Sequence, residues 1–275
     1  MSDHCLLAQE IFNKFKTSKD KKGLMAIKLD MEQAFDSMEW PSLLQVLKTY
    51  KFPTSICKVI MECVMNVRFS IILNGKLSNW IKVRSGLRQG CPLSPYLFIM
   101  CFQLLSLAIN QRGHQLGVCL TPRNQRITHL LFAYDVLIFS KAYSLAAHEL
   151  KIIISDFCSW SGHNINASKS QILFGKMVKL HMKKHIKKEL GFKEVKEMNY
   201  LGVKMALRRL RSFDFQQMID TILERLNAWG CKQLSMVGKI TLVKSSLLTL
   251  PSFLSTHSLI PKKILHQVDQ YLWAS

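Results

Sequence analysis

A chain of 275 residues with 48% hydrophobic content is long enough for one large domain or two smaller ones, and too apolar for gross disorder. Lys and Arg number 38 against 18 acidic residues; the net charge of +20 points to a polyanionic partner, nucleic acid before membrane surface, with a basic but non-binding surface as the plain alternative. Eight cysteines form no Cys-x-x-Cys pair, which argues against a zinc ribbon or disulfide framework and for reduced thiols in an intracellular protein.

The pattern from Cys5 to Phe15 predicts a short helix, followed by the polar stretch Lys16–Gly23 and a strand over Met25–Met31. Glu39–Lys51 reads as a helix with Pro41 in its first turn, and a second begins at Thr54 as N-cap. Val67, Phe69, Ile71 and Leu73 alternate onto one face of a strand. Asn74-Gly75 then marks a tight turn, and Trp80–Val83 returns as the partner. The apolar run Tyr96–Ile109 is too short to span a bilayer and reads as a core helix reaching about Gln111, opened by Ser94 and Pro95. Arg126–Ser140 predicts a hairpin with Asp135 at its tip, and Ser144–Trp160 an amphipathic helix closed by Gly162. Asn166-Ala167-Ser168 fits a glycosylation sequon, a chance match in a chain that opens without a signal peptide.

Lys169–Phe174 and Met198–Met205 read as two more strands. Helices then follow at Phe213–Trp229, Met236–Leu248 and Lys262–Trp273. The composition shift near residue 206 suggests an α+β domain with an all-α region after it.

Asp30 and Asp135 both stand at strand ends. Two acids converging from distant sequence supply the hard oxygen ligands that divalent cations prefer, as phosphoryl-transfer chemistry requires; a lone Asp at a strand end is otherwise an ordinary cap or turn residue. Gly86-Leu87-Arg88-Gln89-Gly90-Cys91-Pro92-Leu93-Ser94-Pro95 joins two glycines, which allow close backbone approach, to a guanidinium fork suited to phosphate. The plain alternative there is a loop-to-helix junction.

Taken together, Ala26–Asp36, Gly86–Pro95 and Phe132-Ala133-Tyr134-Asp135 resemble the palm of a reverse transcriptase of the plant LINE (non-LTR retrotransposon) type. The resemblance implies an RNA-directed DNA polymerase with an antiparallel palm sheet backed by helices at 25–205 and a helical thumb at 206–275. It also implies that the finger strands are largely missing and that residues 1–24 are a remnant of fingers or connector. By that resemblance Asp30, the Met31 carbonyl and Asp135 bind a two-ion Mg2+ site, and Phe35 excludes a ribose 2′-hydroxyl. Arg88, Gln89 and Gly90 lie beside the incoming nucleotide and template. Gly162–Ser170 resembles the next motif, with Lys169 a candidate proton donor to pyrophosphate, and Tyr200-Leu201-Gly202 resembles the primer grip.

The thumb likeness rests on Leu226–Trp229, Leu234–Lys239 and Pro261-Lys262-Lys263. Implied partners are an RNA template, a DNA primer or RNA–DNA hybrid, and deoxynucleoside triphosphates, with no membrane. The family pattern at the hairpin tip is Phe-Ala-Asp-Asp; here Tyr134 replaces the first Asp. A neutral phenol cannot offset metal charge, so the expectation is a polymerase that is catalytically impaired. The alternative is a non-catalytic nucleic-acid-binding remnant of the element.

Residues 175–211 hold twelve Lys or Arg and three Glu, net +9, a concentration suited to phosphate contacts, with a solvated helix face as the competing account. His181 and His185 have the spacing of a helical metal pair, yet stand among lysines with no acid ligand nearby and read as surface residues.

Overall fold

The computed structural model describes residues 2–274 apart from 19, 21, 22, 66, 122–124 and 229–234. The chain divides into two compact units, residues 14–196 and residues 1–13 with 197–275. Helix α1 (Ser2–Thr17) opens the chain.

In unit 14–196, β1 (Leu24–Leu29) and β2 (Met31–Glu32) lead to α2 (Trp40–Thr49) and α3 (Thr54–Val64). Four short strands follow, β3 (Arg68–Phe69), β4 (Ile72–Leu73), β5 (Lys76–Leu77) and β6 (Ile81–Lys82), and then α4 (Ser94–Arg112). Next come β7 (Val118–Cys119), β8 (Arg126–Ile127), β9 (His129–Phe132), β10 (Asp135–Lys141) and α5 (Ser144–Ser161). The unit closes with β11 (Asn164–Ile165), β12 (Gln171–Phe174), α6 (Leu180–Leu190) and β13 (Lys193–Val195).

The central sheet has the order β13-β12-β1-β10-β9, antiparallel except for the parallel β12–β13 pair. β1 lies in the middle because its run Leu24-Met25-Ala26-Ile27 is apolar on both faces. Met25, Ile27, Leu29, Val136, Ile138 and Ile172 form one core with apolar residues of α2, α4 and α5. On the opposite face Phe139 meets Phe15 edge to face at 6.5 Å between centroids.

Three expected elements take a different form. The strand expected over Met25–Met31 breaks at Asp30, whose backbone N–H donates to Ser170 Oγ at 3.0 Å and whose carbonyl accepts from Asn166 N at 2.9 Å. β2 therefore leaves the sheet and pairs with β11. The strand expected over Val67–Leu73 is two fragments and not half-buried: Phe69, Ile71 and Leu73 are all exposed. Ser70 Oγ donates to the Ser78 carbonyl at 2.7 Å and Ile71 N–H donates to Ser78 Oγ at 3.0 Å, so side chains displace the ladder at mid-hairpin. Ser94 is the first helical residue and not a cap; its hydroxyl donates to the Arg88 carbonyl at 2.7 Å.

The other unit carries the hairpin β14 (Glu197–Tyr200) and β15 (Val203–Ala206), where one continuous strand is expected. Leu201 (φ 49°) and Gly202 (φ 79°) both lie in the left-handed region, the geometry of a two-residue hairpin turn. A 3-10 turn at Ser212–Phe215 runs into α7 (Gln216–Ala228). The single helix expected over Met236–Leu248 is α8 (Met236–Leu242) with a π turn at Val243–Leu247, continued by α9 (Thr249–His257). Pro251 lacks the N–H for the regular i→i−4 bond and crowds the preceding turn, which accounts for the widening. α10 spans Lys262–Ala274. Phe215, Met218, Ile219, Ile222, Leu247, Ile264 and Val268 form this unit's core. Trp229 and Leu234, the ends of two thumb-like words, fall outside the described residues.

Four of the twelve basic residues in 175–211 form ion pairs among the described residues. Lys183 and Lys187 hold Glu194 at 3.0 and 3.3 Å. Lys204 and Arg208 meet Asp214 at 3.0 and 2.6 Å, and its carboxylate is 1% exposed. His185 Nε2 lies 2.5 Å from Ser144 Oγ, and His181 is exposed. No described helix is long and apolar enough to cross a membrane.

Candidate active site

β1 and β10 are antiparallel neighbours whose last pair is Leu29 opposite Val136, so Asp30 and Asp135 each stand one residue beyond that pair at the same end of the two strands. The two residues thus lie at one edge of the sheet. Lys28, two residues before Asp30, shares their face, and its Nζ lies 3.2 Å from the Asp135 carboxylate. Residues 30–32 are held from below by 164–170 through the Asp30 backbone bonds and the β2–β11 pair, which includes Met31 opposite Ile165. Tyr134 is the second residue of the two-residue turn between β9 and β10, after Ala133 (φ 51°), and is 54% exposed.

The glycine-bearing loop is stitched to the segment just after Asp30. Gly86 N–H donates to the Met38 carbonyl at 2.8 Å, Leu87 N–H to the Phe35 carbonyl at 2.7 Å, and Trp40 Nε1 to the Gly86 carbonyl at 2.9 Å. A Cβ on Gly86 would stand 2.6 Å from the Asp36 carbonyl oxygen, and φ is +91°, so only glycine permits this approach. Arg88, Gln89 and Gly90 are exposed, with Gln89 Nε2 at 3.5 Å from both Asp36 oxygens. The Leu93 backbone N–H draws the Cys91 thiol below its ordinary pKa. Phe35 is partly buried and stacks on Phe98, with centroids 4.5 Å apart and planes 16° from parallel.

Beneath this surface His163 is buried, with Nε2 2.8 Å from the Ala34 carbonyl and Nδ1 2.9 Å from Ser161 Oγ. A carbonyl only accepts, so Nε2 carries the proton. Burial lowers the pKa of His163, favouring the neutral ring. The histidine thus ties the turn bearing Phe35 to the segment that supports Asp30. Lys169 is exposed in the turn after Asn166, where its N–H donates to the Asn166 side chain at 3.1 Å. In the other unit Tyr200 is fully buried, Leu201 is half-buried and Gly202 is exposed.

Asp30 and Asp135 are brought together, and Phe35, Arg88 and Gln89 lie on elements bonded to the same strand end. Lys28, Asp36, His163 and Ser170 join the site without having been singled out in the sequence. The period-two alternation of β1 was the available signal for Lys28. The other three depend on contacts between distant segments. Two carboxylates fit a hard divalent cation, but Tyr134 offers a phenol, uncharged at neutral pH, and Lys28 brings a competing positive charge. Among the described residues no group of three or more His, Cys, Asp or Glu could hold a metal ion.

Residues 3–205 match the family described as reverse transcriptase (RNA-dependent DNA polymerase). The Pol polyprotein from retrotransposable element R2 of Popillia japonica is 31% identical over 117 residues, 42% of this chain and 19% of that protein. An uncharacterised 149 kDa protein of transposon TX1 from Xenopus laevis is 25% identical over 226 residues, 80% of this chain and 17% of that protein. The chain thus spans less than a fifth of the length of either. A telomerase structure from Candida albicans, in complex with a fragment of telomeric RNA, superposes with a TM-score of 0.50 at 15% identity, over 72% of this chain and 32% of that one. At that identity the likeness speaks for the fold alone.

Proposed function

The chain belongs to the reverse transcriptase (RNA-dependent DNA polymerase) family, and from that premise we propose that it is the palm and thumb of a retroelement polymerase whose metal site is weakened by Tyr134. The family uses a divalent metal. Asp30, the Met31 carbonyl and Asp135 would hold Mg2+, which would supply activation of the primer hydroxyl and offset charge on the departing phosphates. The two-ion arrangement is one carboxylate short.

The chain's own residues do the rest. Phe35, braced by Phe98, presents a rigid ring that excludes a ribose 2′-hydroxyl. Arg88 and Gln89 supply donors to phosphate and base, with Gly90 leaving room beside them. Lys169 donates a proton to the leaving pyrophosphate. The turn Leu201-Gly202 grips the primer, and the helices after 206 act as the thumb. Substrates are an RNA template, a DNA primer and deoxynucleoside triphosphates, handled inside the cell.

One observation supports this reading: the β1–β10 register, which ends with Asp30 and Asp135 one residue beyond its last pair. Manganese binding followed by electron paramagnetic resonance tests it. Wild type is expected to bind and Asp30→Asn to lose most of that binding, with RNA-templated primer extension weak in the first and absent in the second. Equal manganese binding in both proteins would reject the site.

The Lys28–Asp135 ion pair favours a second reading, a non-catalytic nucleic-acid-binding remnant. In that case neither protein binds manganese while both bind RNA.

A further inference from the structure

The hairpin β3–β6 breaks two rules of a stable, isolated sheet. Arg68 and Lys82 are direct cross-strand partners, and like charges so placed repel. No Asp or Glu occurs anywhere between Glu62 and Asp135, a stretch in which the hairpin and its exit carry Arg68, Lys76, Lys82, Arg84 and Arg88. Among the described residues none of these five cations forms an ion pair. The same hairpin leaves large apolar groups in solvent: Phe69 is 46% exposed and Trp80 72%, and Ile72, Leu73 and Leu77 are exposed as well.

Both costs are relieved by one kind of partner, a flexible polyanion bearing flat apolar groups. Phosphates neutralise the opposed cations, and bases stack on the aromatic rings whatever their sequence. A purely apolar protein surface would cover the rings and leave Arg68 and Lys82 repelling each other. A cavity of about 540 Å³ at the hairpin base is lined by Arg68 and Phe69 on one side and by Leu87, Arg88 and Gln89 on the other. It is shared by the hairpin base and the loop that carries the proposed nucleotide-binding residues. Asp36 is the single acid in its lining, at 3.5 Å from Gln89.

We propose that the 67–83 hairpin is a platform for single-stranded nucleic acid, which crosses Phe69, Trp80 and the Arg68–Lys82 pair before reaching Arg88 and Gln89. The platform rests on the nucleic-acid substrate proposed above, but not on metal or catalysis.

The test uses fluorescein-labelled 20-nucleotide oligo(U) and oligo(dT) and the full chain, with anisotropy read in EDTA over a salt series. The arms separate RNA from DNA as the strand held. Removing two phosphate contacts in Arg68→Gln/Lys82→Gln is expected to lower the salt-dependence slope by about 1.4, at about 0.7 per contact on a single strand. Affinity at low salt falls by tenfold or more. Relief of the repulsion is expected to leave Tm unchanged or raised, which separates loss of contact from loss of fold. Phe69→Ala/Trp80→Ala is expected to weaken binding about tenfold or more with the slope unchanged.

An unaltered slope in the charge variant, or unaltered affinity in the aromatic variant, overturns the platform. So does a self-associating wild type that the aromatic variant turns monomeric with oligonucleotide binding intact, because the surface then joins copies of the chain. Failure here with Asp30-dependent manganese binding preserved rejects the platform alone.

Discussion

Replacing Tyr134 by Asp restores the missing carboxylate at a position where the fold has little to lose. The side chain is 54% exposed at a two-residue turn, so no core packing is disturbed. As it stands, Lys28 Nζ lies 3.2 Å from the Asp135 carboxylate, and Asp30, Asp135 and Lys28 together carry a local charge of about −1. The substitution takes that to about −2. Unit charges about 4 Å apart interact by about 4 kcal/mol at an effective dielectric of about 20, and a divalent ion feels more. At about 1.36 kcal/mol per decade, that is about a thousandfold in the rate of the chemical step. The assay is single-turnover primer extension on an RNA template at saturating Mg2+, with wild type, Tyr134→Asp and Tyr134→Asp/Asp30→Asn side by side. The gain is expected in the first variant and lost in the second. Equal robust activity of wild type and Tyr134→Asp would refute the charge argument and show that Asp30 and Asp135 suffice.

Other substitutions test the scaffold. Gly86→Ala forces a Cβ to 2.6 Å from backbone at φ +91° and is expected to cost about 2–4 kcal/mol in urea unfolding, with nucleotide binding impaired alongside. Burial lowers the pKa values of His163 and His129 below the unfolded value of about 6.5. Their contribution is therefore complete above that value and lost as pH falls through it, because the unfolded chain takes up the protons first. Denaturation midpoints measured from pH 8 to 5 should decline, and His163→Gln should flatten the slope. Arg208, hydrogen-bonded to Asp214, holds that carboxyl well below the usual carboxylate range. Asp214→Asn is expected to cost about 1–3 kcal/mol above pH 4, less than a fully buried pair because Arg208 and Lys204 can regain water; the cost starts to fall below the ordinary carboxylate pKa but persists at pH 3, because the folded carboxyl stays ionised there, and thermal unfolding at pH 7 and pH 3 checks it.

The chain's three motif words were legible because each is local: a strand ending at Asp30, a turn at Gly86–Pro95 and a hairpin tip at Ala133-Tyr134 need only short-range pattern to be read. Short apolar runs placed the strands around the two acids, first-turn prolines marked α2 and α4, and amphipathic spacing gave α5. The break at Asp30 and the split of the 67–83 hairpin were not legible, since hydroxyls of Ser170, Ser70 and Ser78 replace backbone ladder bonds there. Nothing in the order of residues marks which serine will do so.

Sequence by itself determined the chemistry on offer: a basic chain, two strand-end acids, a glycine corner, and a phenol where a third acid belongs. Only the tertiary structure decided that the acids share one strand end, that Lys28 sits against one of them, and that His163 braces the turn carrying Phe35. The physical reason is that ionic and hydrogen-bond partners across more than a hundred residues are chosen by strand register and packing, and those are properties of the whole fold.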